Sequence, residues 1–313
     1  MPIAAGTMTR KVVQDVFGGP EVLEVREVEE PHAGAGQVRV RVAAAGLNPV
    51  DWIVASSAQA AENFGVTLPT GFGNDFAGTV DEVGEGVTEF SVGDRVYGGA
   101  RGHAVADYIV ATIGKDALQR TPDGVSDEVA STLQIAGRTA DAALAAIGIG
   151  AGDTLLVGGA AGGVGVFVVQ LAQLAGARVI GTASEAAFEL LRNLGAEPVT
   201  YGDGLVERLQ AIAPEGITAA TDLYGTEAAF AALELGVPAD RISTIAAHDP
   251  ALKAKAVGGR DAAPDALDRI SALIAEGRLS VPIAARYPVE EIREAVAFQA
   301  ERHAHGKVVV TFG

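Results

Sequence analysis

Apolar and charged residues alternate through Val38-Arg39-Val40-Arg41-Val42, and nearly so through Thr79-Val80-Asp81-Glu82-Val83. A period of two predicts strands with one wet face. Between these runs lie turn signals at Gly18-Gly19-Pro20, Gly84-Glu85-Gly86 and Gly93-Asp94. Residues 1–125 therefore read as a β-rich domain, a barrel or a sandwich.

Through 126–264 the pattern changes. A short apolar run at 154–157 is followed by an apolar helical stretch at 162–175 and a second short run at 178–182. Strand, helix and strand at this spacing predict a βαβ unit in a parallel sheet. Further strands are expected at 197–200, 219–223 and 241–246, with helices between them. Residues 265–313 carry helical stretches at 267–275 and 289–302 and close on a strand at 307–311. That arrangement lets the tail return to the first domain. The fold class expected is α/β: a doubly wound parallel sheet beside a β-rich domain.

Composition narrows the chemistry. The 313 residues hold 23 Lys and Arg against 40 Asp and Glu, a net charge of −17. Binding to a nucleic-acid backbone needs a basic face and is not expected. There is no Cys, which removes disulfides, thiol nucleophiles, iron–sulfur clusters and cysteine-bearing zinc sites. From Met1 to Arg10 there is no basic segment followed by an apolar run and a cleavage site. Apolar stretches are interrupted within about a dozen residues, too short to span a bilayer. A cytoplasmic protein without membrane attachment is expected. The histidines His32, His103, His248, His303 and His305 form no metal-ligand spacing. No nucleophile elbow and no Walker loop occur. What remains is a cofactor that carries a hydride, oriented by the protein.

The strongest chemical signal is the segment Gly158-Gly159-Ala160-Ala161-Gly162-Gly163-Val164-Gly165. It follows a predicted strand and opens a predicted helix, the context of a dinucleotide site. Gly162 would let backbone N–H groups approach a pyrophosphate, and Gly165 would let the helix lie against the sheet. The helix N-terminus adds partial positive charge. A tight turn in a glycine-rich chain is the alternative. The second strand ends in Thr182-Ala183-Ser184, with no carboxylate before Glu185. A hydroxyl at Ser184 tolerates a ribose 2′-phosphate, and Arg192 and Tyr201 lie downstream to contact it. NADP(H) is favoured over NAD(H), with Glu185 the counter-argument and an exposed helix charge the alternative for Arg192.

Several segments, in order, resemble the medium-chain dehydrogenase/reductase superfamily in its zinc-independent quinone oxidoreductase branch. They are Phe17-Gly18-Gly19-Pro20-Glu21-Val22-Leu23, Ala45-Gly46-Leu47-Asn48-Pro49-Val50-Asp51-Trp52, Gly73-Asn74-Asp75-Phe76-Ala77-Gly78, Phe90-Ser91-Val92-Gly93-Asp94-Arg95-Val96, Ala136-Gly137-Arg138-Thr139-Ala140, the glycine loop, and Gly306-Lys307-Val308-Val309-Val310. The resemblance implies a GroES-like catalytic domain at 1–125, an NADP-binding Rossmann domain at 126–264, and a return to the catalytic domain at 265–313. It further implies a homodimer and hydride transfer from NADPH to a small-molecule quinone or α,β-unsaturated carbonyl. A pathway-specific ene reductase and a non-catalytic NADPH-binding protein are the other readings.

Residue by residue, the resemblance places Asn48 against the nicotinamide and substrate, with a loop-capping Asn as the alternative. Asp51 would orient that loop, and Trp52 would wall the pocket or pack in the core. Thr139 would contact the cofactor, Ala246 and Ala247 would pass the nicotinamide, and Lys307 would sit near the adenine ribose or serve as a helix-end cation. Within the turn, Gly159, Ala161, Gly163 and Val164 would join Gly162 and Gly165 around the phosphates. Asn48 and Asn74 stand where zinc-using relatives have ligands. Gln134 stands where many relatives have Pro, and Asp141 where an apolar residue is usual.

Overall fold

A computed structural model describes residues 7–247 and 249–313. Most of the segment read for a leader, Met1 to Gly6, and His248 lie outside the described residues. The first stretch forms strands β1 (Met8–Gln14), β2 (Glu24–Glu29), β3 (Gln37–Leu47), β4 (Thr70–Gly71), β5 (Asp75–Val83), β6 (Arg95–Gly99), β7 (Tyr108–Thr112) and β8 (Ala117–Arg120). Helices α1 (Pro49–Ser56) and α2 (Ala58–Asn63) follow β3, and α3 (Asp127–Ala130) and α4 (Leu133–Ile147) follow β8. The middle contributes β9 (Thr154–Gly158), β10 (Arg178–Thr182), β11 (Glu197–Val199), β12 (Ala219–Asp222), β13 (Ile242–Thr244) and β14 (Lys255–Ala256). Its helices are α5 (Gly165–Leu174), α6 (Phe188–Asn193), α7 (Leu205–Ile212), α8 (Glu227–Glu234) and α9 (Ala266–Ala275). The tail adds β15 (Ile283–Pro288), α10 (Ile292–Ala300) and β16 (Lys307–Thr311).

The chain divides into two compact units, Met1–Ile135 with Ile283–Gly313, and Ala136–Pro282. The sequence pattern put the changes near 125 and 265; the contacts put them at 135 and 282. One cause is α9, whose Leu267 and Ile270 side chains pack against Gly137, so that helix belongs with the middle.

In the first unit, β15-β16-β3-β5-β6-β8 run in that order, with β7 also on β3, and β2-β1-β4 form a smaller sheet. The alternating stretch at 38–42 lies in β3, where Val38, Val40 and Val42 turn inward beside Phe76, Val80 and Val96. β3 is antiparallel to both β16 and β5. Leu47 pairs with Val308, and Gly46 with Asp75. The end of β3 therefore meets the starts of β5 and β16 at one end of the sheet.

The second unit is a parallel sheet of six strands, ordered β11-β10-β9-β12-β13-β14. Numbered from β9, this is the 3-2-1-4-5-6 order of a doubly wound dinucleotide-binding sheet. Strand order reverses between β9 and β12, and ligands bind such sheets at the carboxyl ends of strands at that switch point. Helix α5 buries Val166, Phe167, Val168 and Val169, which accounts for its nearly all-round apolar sequence.

Candidate active site

The glycine turn lies at the carboxyl end of β9. Ala160 N–H donates to Thr182 O at 3.1 Å, and Gly159 N–H to Thr182 Oγ1 at 3.2 Å. On the other side Leu223 N–H donates to Gly158 O at 3.0 Å. The turn is thus fastened to both neighbouring strands. Gly159 takes φ +70°, a left-handed conformation that favours glycine. A Cβ at Gly165 would lie 2.3 Å from Ala160 O, so this glycine is demanded by the turn folding back on the helix start. A Cβ at Gly162 would meet only Gly159 O, at 3.3 Å. Apart from its chain neighbours, no other protein atom lies within 4 Å of that Cβ position. Gly163 and Val164 are half-buried and Ala161 is buried. A pyrophosphate fits this turn.

Across the switch point stands Asp222, a residue the sequence reading passed over. It is buried, and its Oδ1 accepts from Tyr224 and Gly225 N–H at 3.1 and 2.8 Å. Its Oδ2 accepts from Ala228 and Ala229 N–H at 2.9 and 3.3 Å. The carboxylate satisfies the open donors at the start of α8.

Ser184 follows β10 and is half-buried. Because β10 pairs in parallel with β11, and Ala183 N–H donates to Val199 O at 3.0 Å, Ser184 and Tyr201 leave adjacent strand ends. Tyr201 is 56% exposed. Its loop is held by Arg208, whose guanidinium donates to the carbonyls of Thr200, Tyr201, Gly202 and Asp203. Arg192 is exposed and stacks over Phe188, 5.6 Å from the ring centroid. Thr139 is buried on α4 and faces Gly259. Ala246 is exposed and Ala247 half-buried after β13.

In the first unit the three strand ends build a buried polar cluster. Asn48 caps α1 and is 2% exposed. Its Nδ2 donates to Asp75 Oδ2 at 3.0 Å and to Gly46 O at 3.4 Å. Its Oδ1 accepts from Lys307 Nζ at 2.6 Å. Lys307 also donates to Leu47 O at 2.9 Å. Asp51 Oδ2 accepts from Asn48 N–H at 2.7 Å, and its Oδ1 from Asn74 Nδ2. Asp75, fully buried, further accepts from Ile135 N–H at 3.2 Å. Burial pushes the Asp51 carboxyl up to about 6, against the pull of Asn48 N–H, Asn74 and Lys307. Burial pushes Asp75 up to about 7; Lys307 opposes this and Asp51 adds to it. Burial also lowers Lys307, while both carboxylates raise it. Two carboxylates against one ammonium leave excess negative charge, so a carboxyl is the group driven toward neutrality.

Three residues singled out in the sequence can now be placed. Both ends of the Asn48 amide are engaged by protein, so it offers no free donor to a substrate; it holds Lys307 and Asp75. Lys307 is not at a helix end. It is 2% exposed at the start of β16, because antiparallel pairing carries it to the end of β3. Trp52 packs against the core cluster of Leu23, Val289 and Ile292, with the Arg302 guanidinium 5.6 Å from its ring centroid. The Asp51 carboxylate closes the first turn of α1 by accepting from Asn48 N–H. The sequence reading missed Asp75, although it lies in a quoted segment.

Beside this cluster a cleft opens in the same unit, about 530 Å³ including its mouth. Val50, Val54, Phe64, Val66 and Phe72 make its apolar walls, with Asp51, Asn74, Gln14 and Arg101 among the polar lining. The lining from α1 comes from Val50, Asp51, Val54 and Ala55, not Trp52. Among the described residues no three His, Cys, Asp or Glu side chains gather to hold a metal ion, and no helix is long and apolar enough to cross a membrane.

Residues 34–129 match the alcohol dehydrogenase GroES-like domain, and 194–310 the zinc-binding dehydrogenase family. A quinone oxidoreductase of Pseudomonas aeruginosa is 37% identical over 204 residues, 64% of this chain. The match spans only 61% of that relative's length. An Arabidopsis thaliana NADPH-dependent alkenal/one oxidoreductase is 29% identical, over 94% of this chain and 77% of its own. A Coxiella burnetii quinone oxidoreductase superposes with TM-score 0.86 at 27% identity, covering 97% of this chain and 99% of its own. The chain belongs to the medium-chain dehydrogenase/reductase superfamily, in its quinone oxidoreductase branch. For a dehydrogenase/reductase of this type the GroES-like part and the doubly wound sheet are the expected pair of folds.

Proposed function

We propose that the protein is an NADPH-dependent oxidoreductase that transfers a hydride to a quinone or an α,β-unsaturated carbonyl. The observation that carries this reading is the glycine turn at the switch point of the parallel sheet, open beside Gly162 and running into the start of α5. Backbone N–H groups and a helix N-terminus form an anion site there. Gly159, Ala161, Gly162, Gly163, Val164 and Gly165 would hold the pyrophosphate. Ser184 and Tyr201, with Arg192 on α6, would meet the ribose 2′-phosphate, since the strand end offers a hydroxyl where a carboxylate would repel it. Thr139, Ala246 and Ala247 would flank the nicotinamide end. The NADPH named for the Arabidopsis relative supports the choice.

A bound reduced nicotinamide supplies the hydride, and the protein supplies position. The acceptor would lie in the apolar cleft of the first unit. Negative charge grows on the acceptor oxygen as it is reduced. The Arg101 guanidinium, with donors beyond its bond to Phe64 O at 3.2 Å, is the cleft's cation for that charge. Asn48, Asp75 and Lys307 keep the end of β3 rigid. The resemblance extends the proposal to a homodimer.

The test is oxidation of NADPH and NADH in parallel against a panel of quinones and enones. NADPH should be the better donor with at least one acceptor class. Oxidation of NADH alone would overturn the cofactor choice. Tight NADPH binding with no turnover on any acceptor would leave a binding protein instead.

A further inference from the structure

The chain has no Cys, so the side chain most reactive toward electrophilic carbon is missing and amines stand next. Of its five lysines, Lys115 and Lys253 are exposed. Lys255 Nζ donates to Ala146 O at 2.7 Å, and Lys307 is enclosed in the cluster described above. Lys11 differs. It is half-buried on β1, and its Nζ lies 3.2 Å from Nδ1 of the exposed His103, at the surface of the first unit. An ammonium can only donate, so Nδ1 is the acceptor and the imidazole proton sits on Nε2.

The pair is fitted into the smaller sheet. Gly71 of β4 pairs with Val13 of β1. A Cβ at Gly71 would lie 2.7 Å from Lys11 Cε and 3.1 Å from His103 Nδ1, so the glycine leaves the room that the two side chains fill. Arg26, the cross-strand neighbour of Lys11 on β2, is paired with Asp15 and Glu24. Among the described residues no carboxylate comes within ion-pair distance of Lys11 or His103. Burial lowers the Lys11 ammonium below its ordinary range. Burial, and then the charge of Lys11, lower His103, while Asp116 opposes them from farther off. A half-buried amine beside a neutral imidazole, with no carboxylate to hold its charge, frees its lone pair below the usual range of a lysine.

We infer that Lys11 is a covalent modification site, at which Nζ adds to the β-carbon of an α,β-unsaturated carbonyl compound and His103 takes the proton. The bond from Nζ to carbon forms, the C=C π bond opens, and its electron pair moves toward the carbonyl oxygen. The N–H proton passes to His103 Nδ1 and on through solvent to the α-carbon, leaving a saturated carbonyl on a secondary amine. Nothing is oxidised or reduced, so the step needs no cofactor. The choice of electrophile rests on the reading above, in which this protein meets such compounds; the reactivity of the amine does not.

The full chain is treated with limiting but-3-en-2-one near neutral pH, without any nicotinamide nucleotide, and adducts are quantified residue by residue by mass spectrometry. Lys11 should react at least about fivefold faster than Lys115 or Lys253. Its rate should also begin to rise at lower pH than theirs, because a lowered pKa exposes the lone pair sooner. Equal rates, an unshifted pH profile, or addition at His103 ahead of Lys11 would each overturn the inference. In His103→Phe, loss of the proton acceptor should slow addition at Lys11 by about threefold or more and leave Lys115 unchanged. An unchanged Lys11 rate there overturns the pairing. If that variant does not fold, the wild-type order and pH profile decide. Because no NADPH is present, a negative result leaves the hydride-transfer reading standing, and a failure of NADPH oxidation leaves addition at Lys11 standing.

Discussion

The two units build their polar sites from different material. In the second, the site is backbone: a turn fastened to its neighbouring strands, a helix start and glycines. In the first it is side chains, two carboxylates, one ammonium and two amides hydrogen-bonded to one another, with Asp51 and Asn74 bordering the cleft. A backbone site fails when a Cβ intrudes and tolerates most changes nearby. A closed side-chain cluster fails when any charge loses its counterpart, because the remainder stays buried and uncompensated.

The largest effect should come from paired glycine substitutions. Gly165→Val drives a side chain into Ala160 O, and should lower unfolding free energy by about 3 kcal/mol or more. Gly162→Val meets far less protein. It should keep the wild-type melting temperature yet weaken NADPH binding by at least about a hundredfold, read by fluorescence titration. Retained binding in Gly162→Val would break the backbone-site account. Next, Lys307→Met leaves Asp51 and Asp75 buried without a cation, and urea unfolding should show a loss of about 3–5 kcal/mol. A near-neutral result would mean the cluster is not held by charge.

A finer probe is pH. Asp75 in the folded chain is raised to about 7 from its ordinary 3.8, so the folded state holds this proton more tightly than the unfolded state. Its contribution to stability is full below about pH 4, declines as pH rises toward 7, and is flat above. The stability difference between wild type and Asp75→Asn should fall across that window, and a flat difference would show no raised carboxyl there. The smallest effect belongs to a side chain in the backbone site. Ser184→Asp should raise the KM for NADPH by about tenfold and leave NADH nearly untouched, by repulsion of the 2′-phosphate.

This contrast also explains what was legible. The second unit follows from local pattern: the runs at 154–157 and 178–182 are β9 and β10, and the glycines between them sit where a ligand can approach. Strand alternation at 38–42 and 79–83 likewise placed β3 and β5. The buried cluster did not follow, because its members come from three strand ends far apart in sequence. Asn48 read as a ligand-facing amide, and only the pairing of β3 with β5 and β16 shows it turned to Asp75 and Lys307. Lys307 read as a cation near a ribose or at a helix end, since a lysine opening a strand carries no local mark of burial.

Strand β16 lies inside its sheet, between β15 and β3, yet it is made only after the whole second unit. At ribosomal rates of about 5–20 residues per second, the interval is on the order of ten seconds or more. Through that wait the nascent first unit has Asp51 and Asp75 but no Lys307, and an open edge on β3 where β16 belongs. The contiguous parallel sheet can finish first. The emerging chain therefore holds one completed half beside one that still waits for β16.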